Sequence, residues 1–360
     1  MAWTKEMPAQ PVVAVCGATG AVGAEFLKVL HDVDFPAKEV RALASARSAG
    51  KKLAFEGCGQ VPAGDLTVEE MTPDSFEGVD IALFSAGAGV SKQLRDAVVA
   101  HGAVMIDNSS AFRMDPDVPL VVPEVNKADL AWHNGVIANP NCSTIEMVVA
   151  LKPLNDLAHI KRVVVSTYQA ASGAGAKAMQ ELYDQTRQFL DGEELTVSAF
   201  SDQIAFNAIP HIDVFLDEGS DMTADVAPGY TKEEWKMVVE TKKIFGDDTI
   251  EVAPTCVRVP VLRCHAESLN VEFDAPVSLA DARRALMAGE DVEVRDDPAH
   301  NVYPMPGLLA GSDHVYVGRL RDDPSVEHGI AMWLVMDQIR KGAALNALQI
   351  AEYMIKNDMI

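Results

Sequence analysis

Residues 12–30, VVAVCGATGAVGAEFLKVL, decide the fold of the first half of the chain. The apolar run that ends before Gly17 is typical of a strand buried on both faces. From Val22 to Leu30 the apolar residues recur at the spacing of an amphipathic helix. The stretch therefore predicts a strand, a tight turn and a helix in immediate succession.

Three glycines occupy this turn in the spacing GxxGxxG, at Gly17, Gly20 and Gly23. Glycine there permits a sharp turn and lets the backbone approach a pyrophosphate, which N–H groups at the helix N-terminus then bind. A glycine-rich turn that only packs a strand against a helix is the alternative. The strand before it and the helix after it favour a nucleotide-binding site.

The alternation of strand and helix patterns continues through residues 1–141. Further apolar runs end in small or polar residues, as in VRALASA, VDIALFSAG, AVMIDNSS and GVIANPN. This βαβ repetition predicts an α/β fold with a doubly wound, Rossmann-type parallel sheet, in which ligands bind at the C-terminal ends of the strands. Residues 1–141 are thus predicted to form a nucleotide-binding domain.

The pattern then changes to that of an α+β domain, predicted to span 142–335. The runs KRVVVSTYQAAS, DTIEVAPTCVRVPV and ESLNVEFDAPVS are β-branched and partly alternating, as in a mixed or antiparallel sheet, and helical patterns at AKAMQELYDQTRQFL and KEEWKMVVETKKIF interrupt them. The last stretch, HGIAMWLVMDQIRKGAALNALQIAEYMI, reads as helical with a break at Gly342. We expect the helix 336–360 to pack back on the first domain.

Charge and cysteine content exclude several classes of partner. The net charge is −23, from 53 acidic and 30 basic residues, so neither nucleic acid nor an anionic membrane is an expected partner. The five cysteines are widely spaced without a CxxC, which argues against disulfides and against a metal site. The stretch MAWTKEMPAQ lacks an apolar signal segment, and no run approaches a membrane span, so we expect a cytoplasmic protein.

The loop after the second predicted strand, within VRALASARSAGKKL, carries basic residues and no acid. An Asp or Glu there would bind the ribose 2′-hydroxyl of NAD, whereas the 2′-phosphate of NADP calls for positive charge. Arg41, Arg47, Ser48, Lys51 and Lys52 therefore favour NADP. A solvated basic loop is the alternative.

Cys142 begins a helical pattern in ANPNCSTIEMVVALKPL, at the end of a strand of the nucleotide-binding domain. A helix N-terminus lowers the pKa of a thiol and so favours the nucleophilic thiolate. A small buried hydrophobic residue is the alternative, and it is the preferred one for Cys16, Cys58, Cys256 and Cys264. The position of Cys142 favours attack on an aldehyde or acyl phosphate, with hydride transfer to or from a nicotinamide.

Such chemistry usually requires a histidine. His31, His101, His133 and His159 lie in helical or loop contexts and are expected at the surface, whereas His211 and His314 stay open as candidates. His265 lies at a break between strands, among Arg258, Arg263 and Glu267. From its residue type and position alone, a structural role is the more common one.

The chain resembles aspartate-β-semialdehyde dehydrogenases from about Val12 to Gly342. The motifs that carry the resemblance occur in the family's order: GATGAVG, SARSAGK, DNSSAFRMD, VPEVN, NPNCST, STYQAASGAG, IAFNAIPHID, EEWKMVVETKKI, CVRVPVLRCHAES and VGRLR. The resemblance implies a cytosolic homodimer with a catalytic and dimerisation domain. It implies conversion of L-aspartyl-4-phosphate and NADPH to aspartate semialdehyde, NADP⁺ and phosphate, on the route to lysine (through diaminopimelate), methionine and threonine.

The resemblance also implies roles for individual residues. Cys142 is the nucleophile that forms an acyl thioester, His265 is the acid and base, and Gln169 orients the bound intermediate. The implied substrate-binding residues are Arg258 for the α-carboxylate, Glu233 for the α-amino group, and Arg113 and Lys236 for the phosphate. The residues implied for NADP are Gly17, Thr19, Gly20, Ala21, Val22, Gly23, Arg47, Ser48, Ser172, Gly173 and Gln338.

Several alternatives stay open at this point. Lys236 also fits a solvated helix face with charge pairs, and Arg113 also fits a loop salt bridge. N-acetyl-γ-glutamyl-phosphate reductase and a non-catalytic NADP-binding regulator are the rival functions, and the role of residues 187–203 is open. Arg258 and His265 are seven apart, so they reach one site only if the strand bends or breaks between them, with Pro260 the obvious place.

Overall fold

The computed structural model describes residues 7–217 and 227–357. Part of the stretch MAWTKEMPAQ and the last three residues of the expected C-terminal helix lie outside the described residues. The chain divides into two compact units, Met1–Asn141 with Ala343–Ile360, and Cys142–Gly342. Across the described ranges, no helix has the length and apolar character needed to cross a membrane.

The first unit is built on a seven-stranded sheet. Its strands are β1 Val12–Cys16, β2 Glu39–Ala44, β3 Lys52–Phe55, β4 Gly64–Glu70, β5 Ile81–Phe84, β6 Val104–Asp107 and β7 Val136–Ala138. The order is β3-β4-β2-β1-β5-β6-β7, and only β3 runs antiparallel to its neighbour. The chain leaves β1 in one direction for β2 and in the other for β5, which is the doubly wound arrangement predicted from the sequence.

Helices α1 Ala21–Asp32, α2 Ala88–Ala100 and the short α3 Pro123–Asn126 belong to the same unit. Strand β5 is buried at every position, as are β6 and β7, which explains their continuous apolar runs. The core joins Val13 and Val15 of β1 with Phe26 and Leu30 of α1. This packing holds the glycine turn between β1 and α1 at the C-terminal edge of the sheet.

The second unit contains a six-stranded mixed sheet. Its strands are β8 Ile160–Gln169, β9 Glu251–Arg258, β10 His265–Phe273, β11 Val292–Val294, β12 Val315–Asp322 and β13 Gly329–Met336. The order is β11-β12-β13-β10-β8-β9, with parallel pairs at both edges and antiparallel pairs between them. The helices are α4 Cys142–Asn155, α5 Ala176–Asp191, α6 Lys232–Phe245, α7 Leu279–Ala288 and α8 Pro306–Leu309. The predicted α+β class is confirmed.

The prediction of helix from residue 328 onward is wrong for its first part. Residues 329–336 form β13, which pairs with β10 on one side and β12 on the other. A short apolar run of this length suits a buried strand as well as a helix, and pairing on both sides decides between them. A π-helical turn, Arg340–Leu345, leads into helix α9, Asn346–Lys356, so the expected helix begins later than residue 336. Leu348, Ile350 and Met354 of α9 join the core of the first unit.

Candidate active site

Cys142 is the first residue of α4, and among the five cysteines, all of which lie in the described ranges, it is the one that is partly exposed. The π-helical turn lies against it, because a Cβ placed on Gly342 would lie 2.9 Å from the Cβ of Cys142. The other four cysteines are buried, and burial raises the pKa of each thiol. The structure therefore separates one accessible thiol from four inert ones.

Gln169, the last residue of β8, connects the start of α4 to helix α6. Its Nε2 donates to the Ser143 Oγ at 3.0 Å and to the Glu233 Oε1 at 3.2 Å. Gln169 is buried, so these bonds fix its amide beside the residue that follows Cys142. Since the amide is held on both sides, it can orient a bound group without rearranging.

The predicted break between Arg258 and His265 is confirmed. Strand β9 ends at Arg258 and β10 begins at His265, and the two strands flank β8 on opposite sides. The connecting turn carries Cys264 at a φ of 74°. The break allows both side chains to converge, and a regular strand would have directed them to opposite faces.

Both side chains converge on Ala170, just after β8. The Ala170 N–H donates to the His265 Nδ1 at 3.0 Å, and the Ala170 carbonyl accepts from the Arg258 Nη1 at 2.7 Å. A neutral imidazole has one N–H, so the Nδ1 that accepts from the backbone leaves the proton on Nε2. That Nε2 is buried and has no hydrogen-bond partner among the described residues.

Burial keeps His265 neutral. The pKa of the imidazole is lowered to about 3, mainly by burial and then by the Arg258 cation, while Glu233 acts in the opposite direction. Burial lowers the pKa of Arg258, and the nearby Glu233, Cys142 and Cys256 oppose this shift. The coupling of Arg258 to both Glu233 and Cys142 places these three groups in one electrostatic neighbourhood.

Gly173 leaves the space into which these groups point. A Cβ there would lie 2.9 Å from the Arg258 Nη1 and 3.1 Å from the His265 Nε2. Next to it, Ser172 accepts a hydrogen bond from the Gln338 Nε2, while the Gln338 Oε1 accepts from the Cys264 N–H at 3.0 Å. The residues implied for NADP in this unit therefore adjoin the imidazole and the guanidinium.

Helix α6 contributes an acid and a base one turn apart. The Lys236 Nζ lies 3.0 Å from the Glu233 Oε2 and 2.9 Å from the Asp213 Oδ2. All but about a tenth of the lysine side chain is buried, so the solvated-helix alternative does not describe it. Asp213 belongs to IPHID and was not among the residues expected from the sequence; its φ of 68° is the local signal of a constrained position.

The first unit contains the glycine turn and Arg113. Gly17 has a φ of 88°, and a Cβ there would lie 2.4 Å from the Ser85 carbonyl oxygen. Gly23 packs as closely on the turn, 2.2 Å from the Gly17 oxygen by the same measure. The loop of Ser85, Ala86 and Gly87 after β5 therefore adjoins the turn. In the sequence, the only indication of this contact is that small residues follow an apolar run.

Four further side chains of the first unit belong to the residues expected in the site. The Thr19 Oγ1 lies 3.4 Å from the buried Ser48 Oγ, so the turn after β1 reaches the one after β2. Arg47 is exposed, and among the described residues it forms no ion pair. Arg113 is buried, with its Nε donating to the Asn139 carbonyl at 2.9 Å and its Nη2 to the Asn108 carbonyl at 2.8 Å.

The two histidines left open by the sequence have other contacts. The His211 ring stacks on Phe215 with centroids 4.5 Å apart, and the His314 ring lies edge-on to Tyr316. In the part of the chain that the structure describes, no group of three His, Cys, Asp or Glu residues could hold a metal ion. His265 is the histidine that shares its surroundings with Arg258 and Glu233.

Comparison with known proteins defines the class first. The family model for the NAD-binding domain of semialdehyde dehydrogenases matches residues 12–133, and the model for their dimerisation domain matches residues 151–341. The protein is therefore a semialdehyde dehydrogenase with a nicotinamide-nucleotide-binding domain and a dimerisation domain.

Individual relatives define the family more narrowly. The aspartate-semialdehyde dehydrogenase of Aquifex aeolicus is 52% identical, over 97% of this chain and 99% of its own. A crystal structure of aspartate-semialdehyde dehydrogenase II from Vibrio cholerae complexed with ASA is 46% identical, with a TM-score of 0.90 over 97% of this chain and 99% of that chain. A structure of the enzyme from Candida albicans with NADP is 25% identical, with a TM-score of 0.72 over 98% and 100%. The chain belongs to the aspartate-semialdehyde dehydrogenase family, as its motifs indicated.

Proposed function

We propose that this enzyme reduces L-aspartyl-4-phosphate to L-aspartate 4-semialdehyde with NADPH, releasing phosphate, through a thioester on Cys142. The observation that carries the proposal is the grouping of Gln169, Arg258 and His265 with the start of the Cys142 helix. A product of this kind feeds the synthesis of lysine, through diaminopimelate, and of methionine and threonine. We expect the reaction to take place in the cytoplasm.

The cysteine acts first. The Cys142 thiolate attacks the acyl carbon, and the carbon–oxygen bond to phosphate breaks with its electron pair leaving on the phosphate. The thioester that results is held beside the Gln169 amide, which the Ser143 and Glu233 contacts keep in place. NADPH, when bound, supplies the hydride that reduces the thioester carbon.

His265 then works as a hydrogen-bond donor. The collapse of the tetrahedral oxyanion regenerates the Cys142 thiolate, so a cycle that begins and ends with thiolate needs no proton from the imidazole. The resemblance implied acid and base exchange, but the Ala170 N–H occupies Nδ1 and Nε2 already carries the ring's proton. The Nε2–H can therefore stabilise negative charge on oxygen or sulfur as it develops.

Substrate recognition divides between the charged groups. The planar Arg258 fork suits the α-carboxylate, and Glu233 suits the α-ammonium group. Lys236 is a point charge suited to the phosphate. The phosphate would bind the Lys236 Nζ either in place of the Asp213 carboxylate or beside it. Arg113, held by two backbone carbonyls, is the second cation for phosphate.

NADP fits the residues that the cofactor would contact. The glycine turn of the first unit gives backbone access to a pyrophosphate, and no acid stands at the loop with Arg47 and Ser48. Thr19, Gly20, Ala21 and Val22 belong to that turn, while Ser172, Gly173 and Gln338 approach the imidazole side.

The active form is a homodimer assembled through the open face of the six-stranded sheet. The rings of Tyr168 and Trp333 lie there tilted to each other with centroids 5.4 Å apart, and Tyr168 is 37% exposed. A cavity of about 370 Å³ beside Trp333, Ser268 and Met305 continues this face. Light scattering should give twice the chain mass, and Trp333→Glu should give a monomer.

One assay decides the function. L-Aspartate semialdehyde, phosphate and NADP⁺ should give phosphate-dependent NADPH formation, with N-acetylglutamate semialdehyde as the comparison substrate. Cys142→Ala should abolish turnover and leave NADPH binding intact. No turnover of aspartate semialdehyde, or equal turnover of the N-acetylated substrate, would overturn the proposal.

A further inference from the structure

Two glutamates that the proposed reaction does not use lie behind its central residues. Glu146 follows Cys142 by four residues in α4, which is one helical turn along the same face. Glu267 follows His265 by two residues in β10, on the same face of the sheet. Both are fully buried, and α4 packs against β10. They therefore lie where the helix of the cysteine meets the strand of the histidine.

Neither carboxyl group has a conventional partner. Within the described residues, no N–H or O–H group donates a hydrogen bond to any of the four oxygens of Glu146 and Glu267. A buried carboxylate without a cation or donor is strongly unfavourable, so such groups keep their protons. Two neighbouring carboxyl groups can then satisfy each other, because each O–H donates to the other's carbonyl oxygen.

The cations of this unit are engaged elsewhere. Arg258 donates to the Ala170 carbonyl, Arg263 pairs with Asp337 at 2.6 Å, and the buried Lys341 pairs with Asp291 at 3.2 Å. Burial raises the pKa of Glu146 well above its ordinary value. Burial also raises the pKa of Glu267, and the neighbouring Glu146 raises it further.

A further buried cation, Lys236 of α6, is paired with Glu233 and Asp213. The thiols Cys256 and Cys264 are close enough that Glu267 raises the pKa of the first and Glu146 that of the second. The packed elements also bury the polar Thr167 and Gln169 of β8 and the acidic Glu233, Glu234 and Glu240 of α6, together with apolar side chains of α7, β12 and β13.

We propose that Glu146 and Glu267 form a protonated, mutually hydrogen-bonded carboxyl pair that ties the helix of Cys142 to the strand of His265. They are positioning residues, because they touch no reacting atom but hold the sulfur and the imidazole at their working separation. Loss of a proton at alkaline pH would leave an uncompensated charge in the pair and loosen the link. The effect of the pair on catalysis rests on the proposed function, whereas the protonation of Glu146 and Glu267 does not depend on it.

Protonation is tested without any substrate. Infrared spectra at neutral pH should contain the carbonyl stretch of a protonated carboxyl. The double variant Glu146→Gln/Glu267→Gln should lose this band. Glu272→Gln should retain it, because Glu272 is a partly exposed acid of the same strand that pairs with Lys161. The folded protein holds protons that the unfolded chain releases above about pH 4.3, so wild-type stability should fall as pH rises, by up to about tenfold in the unfolding constant per pH unit and proton. The double Gln variant should lose this slope and be the more stable protein at pH 8. Absence of the band, or a less stable double variant, overturns the pair.

Positioning is tested by kinetics. Glu146→Gln, whose amide both donates and accepts, should keep kcat at pH 7, while Glu146→Leu should lower kcat by about tenfold to a hundredfold with KM and the Kd for NADPH unchanged. The alkaline fall of wild-type kcat should be absent in the double Gln variant. An unchanged kcat in Glu146→Leu, or an alkaline limb that survives the double substitution, would overturn the positioning role. A chain that shows the infrared band but has no dehydrogenase activity would instead refute the proposed function.

Discussion

His265 and Arg258 hydrogen-bond to the two sides of one residue, Ala170. Its N–H donates to the imidazole at 3.0 Å and its carbonyl accepts from the guanidinium at 2.7 Å. Because the two bonds meet at the end of β8, a shift of that strand end moves both side chains together. The proposed substrate clamp and the proposed donor to the oxyanion are therefore placed by the same few backbone atoms.

This arrangement predicts that His265 acts while neutral. His265→Ala should lower kcat by about 10²- to 10³-fold, as removal of an oxyanion donor does, and His265→Gln should lose less because its amide can donate. The pKa of the imidazole is lowered to about 3, so kcat between about pH 5 and 8 should show no acid limb from this group. An acid limb near pH 6.5 that vanishes in His265→Gln would instead establish acid and base exchange.

Selective alkylation tests the nucleophile. Cys142 is partly exposed at a helix N-terminus, while burial raises the pKa of the other four thiols. Iodoacetamide should therefore modify Cys142 first, and activity should fall in proportion to that modification by mass spectrometry. Cys58→Ala should leave the inactivation rate unchanged. Inactivation that tracks modification of another cysteine would contradict the assignment.

The parallel sheet and its glycine turn were predictable because the apolar run of the strand, the glycines of the turn and the apolar spacing of the helix all lie within residues 12–30. The break between Arg258 and His265 was predictable because a period-two strand cannot bring both to one site. The strand at 329–336 was not, since a short apolar run suits either element and only pairing with β10 and β12 decides. Contacts made across long sequence separations were equally hidden.

The site shows the same division between local and distant signals. Cys142 could be suspected from its helix terminus, but His265 and Lys236 needed the resemblance, because a lone histidine or lysine carries no local signal. Ala170 could not be found, as its role lies in backbone atoms that any residue possesses. Asp213 was missed for the same reason that its partner Lys236 was ambiguous, since their contact spans 23 positions.

Gly173 should tolerate no side chain. A Cβ there would lie 2.9 Å from the Arg258 Nη1 and 3.0 Å from the His265 Cε1, so Gly173→Ala must displace one of them. We expect kcat/KM to fall by about a hundredfold, with thermal stability little changed. Gly307→Ala is the matched control, because a Cβ at Gly307 meets nothing within 4 Å. Equal activities of the two variants would contradict this account.

Arg47 should determine the choice of cofactor. It follows β2 where an acid would bind the ribose of NAD, and it is exposed beside the buried Ser48. Arg47→Leu should raise KM for NADPH by about tenfold, the loss of one charge-assisted contact, and leave KM for NADH unchanged. Lys38→Leu, a change at another exposed basic residue of this unit, serves as the control. A parallel change with both cofactors would show that Arg47 does not contact the 2′-phosphate.

The second unit should become less stable at alkaline pH, because His159 loses its charge there. Its Nδ1 lies 2.6 Å from the Asp274 Oδ2 and its Nε2 lies 2.9 Å from the Asp247 Oδ2, so the ring links three segments. The hydrogen bond to Asp274, with Asp247 adding to it, raises the pKa of His159. The stabilisation is therefore complete below the unfolded pKa of about 6.5 and is lost as pH rises through the folded pKa.

Urea unfolding of His159→Gln and wild type checks this sign. The variant should have a lower midpoint at pH 5.5, and the difference should shrink as the pH rises through the folded pKa and the wild-type imidazole loses its charge. His300→Gln is the control, because that exposed ring pairs with Asp297, which lies three residues away in the sequence. A difference that grows with pH would mean that neutral His159, through packing or hydrogen bonding alone, holds the three segments together.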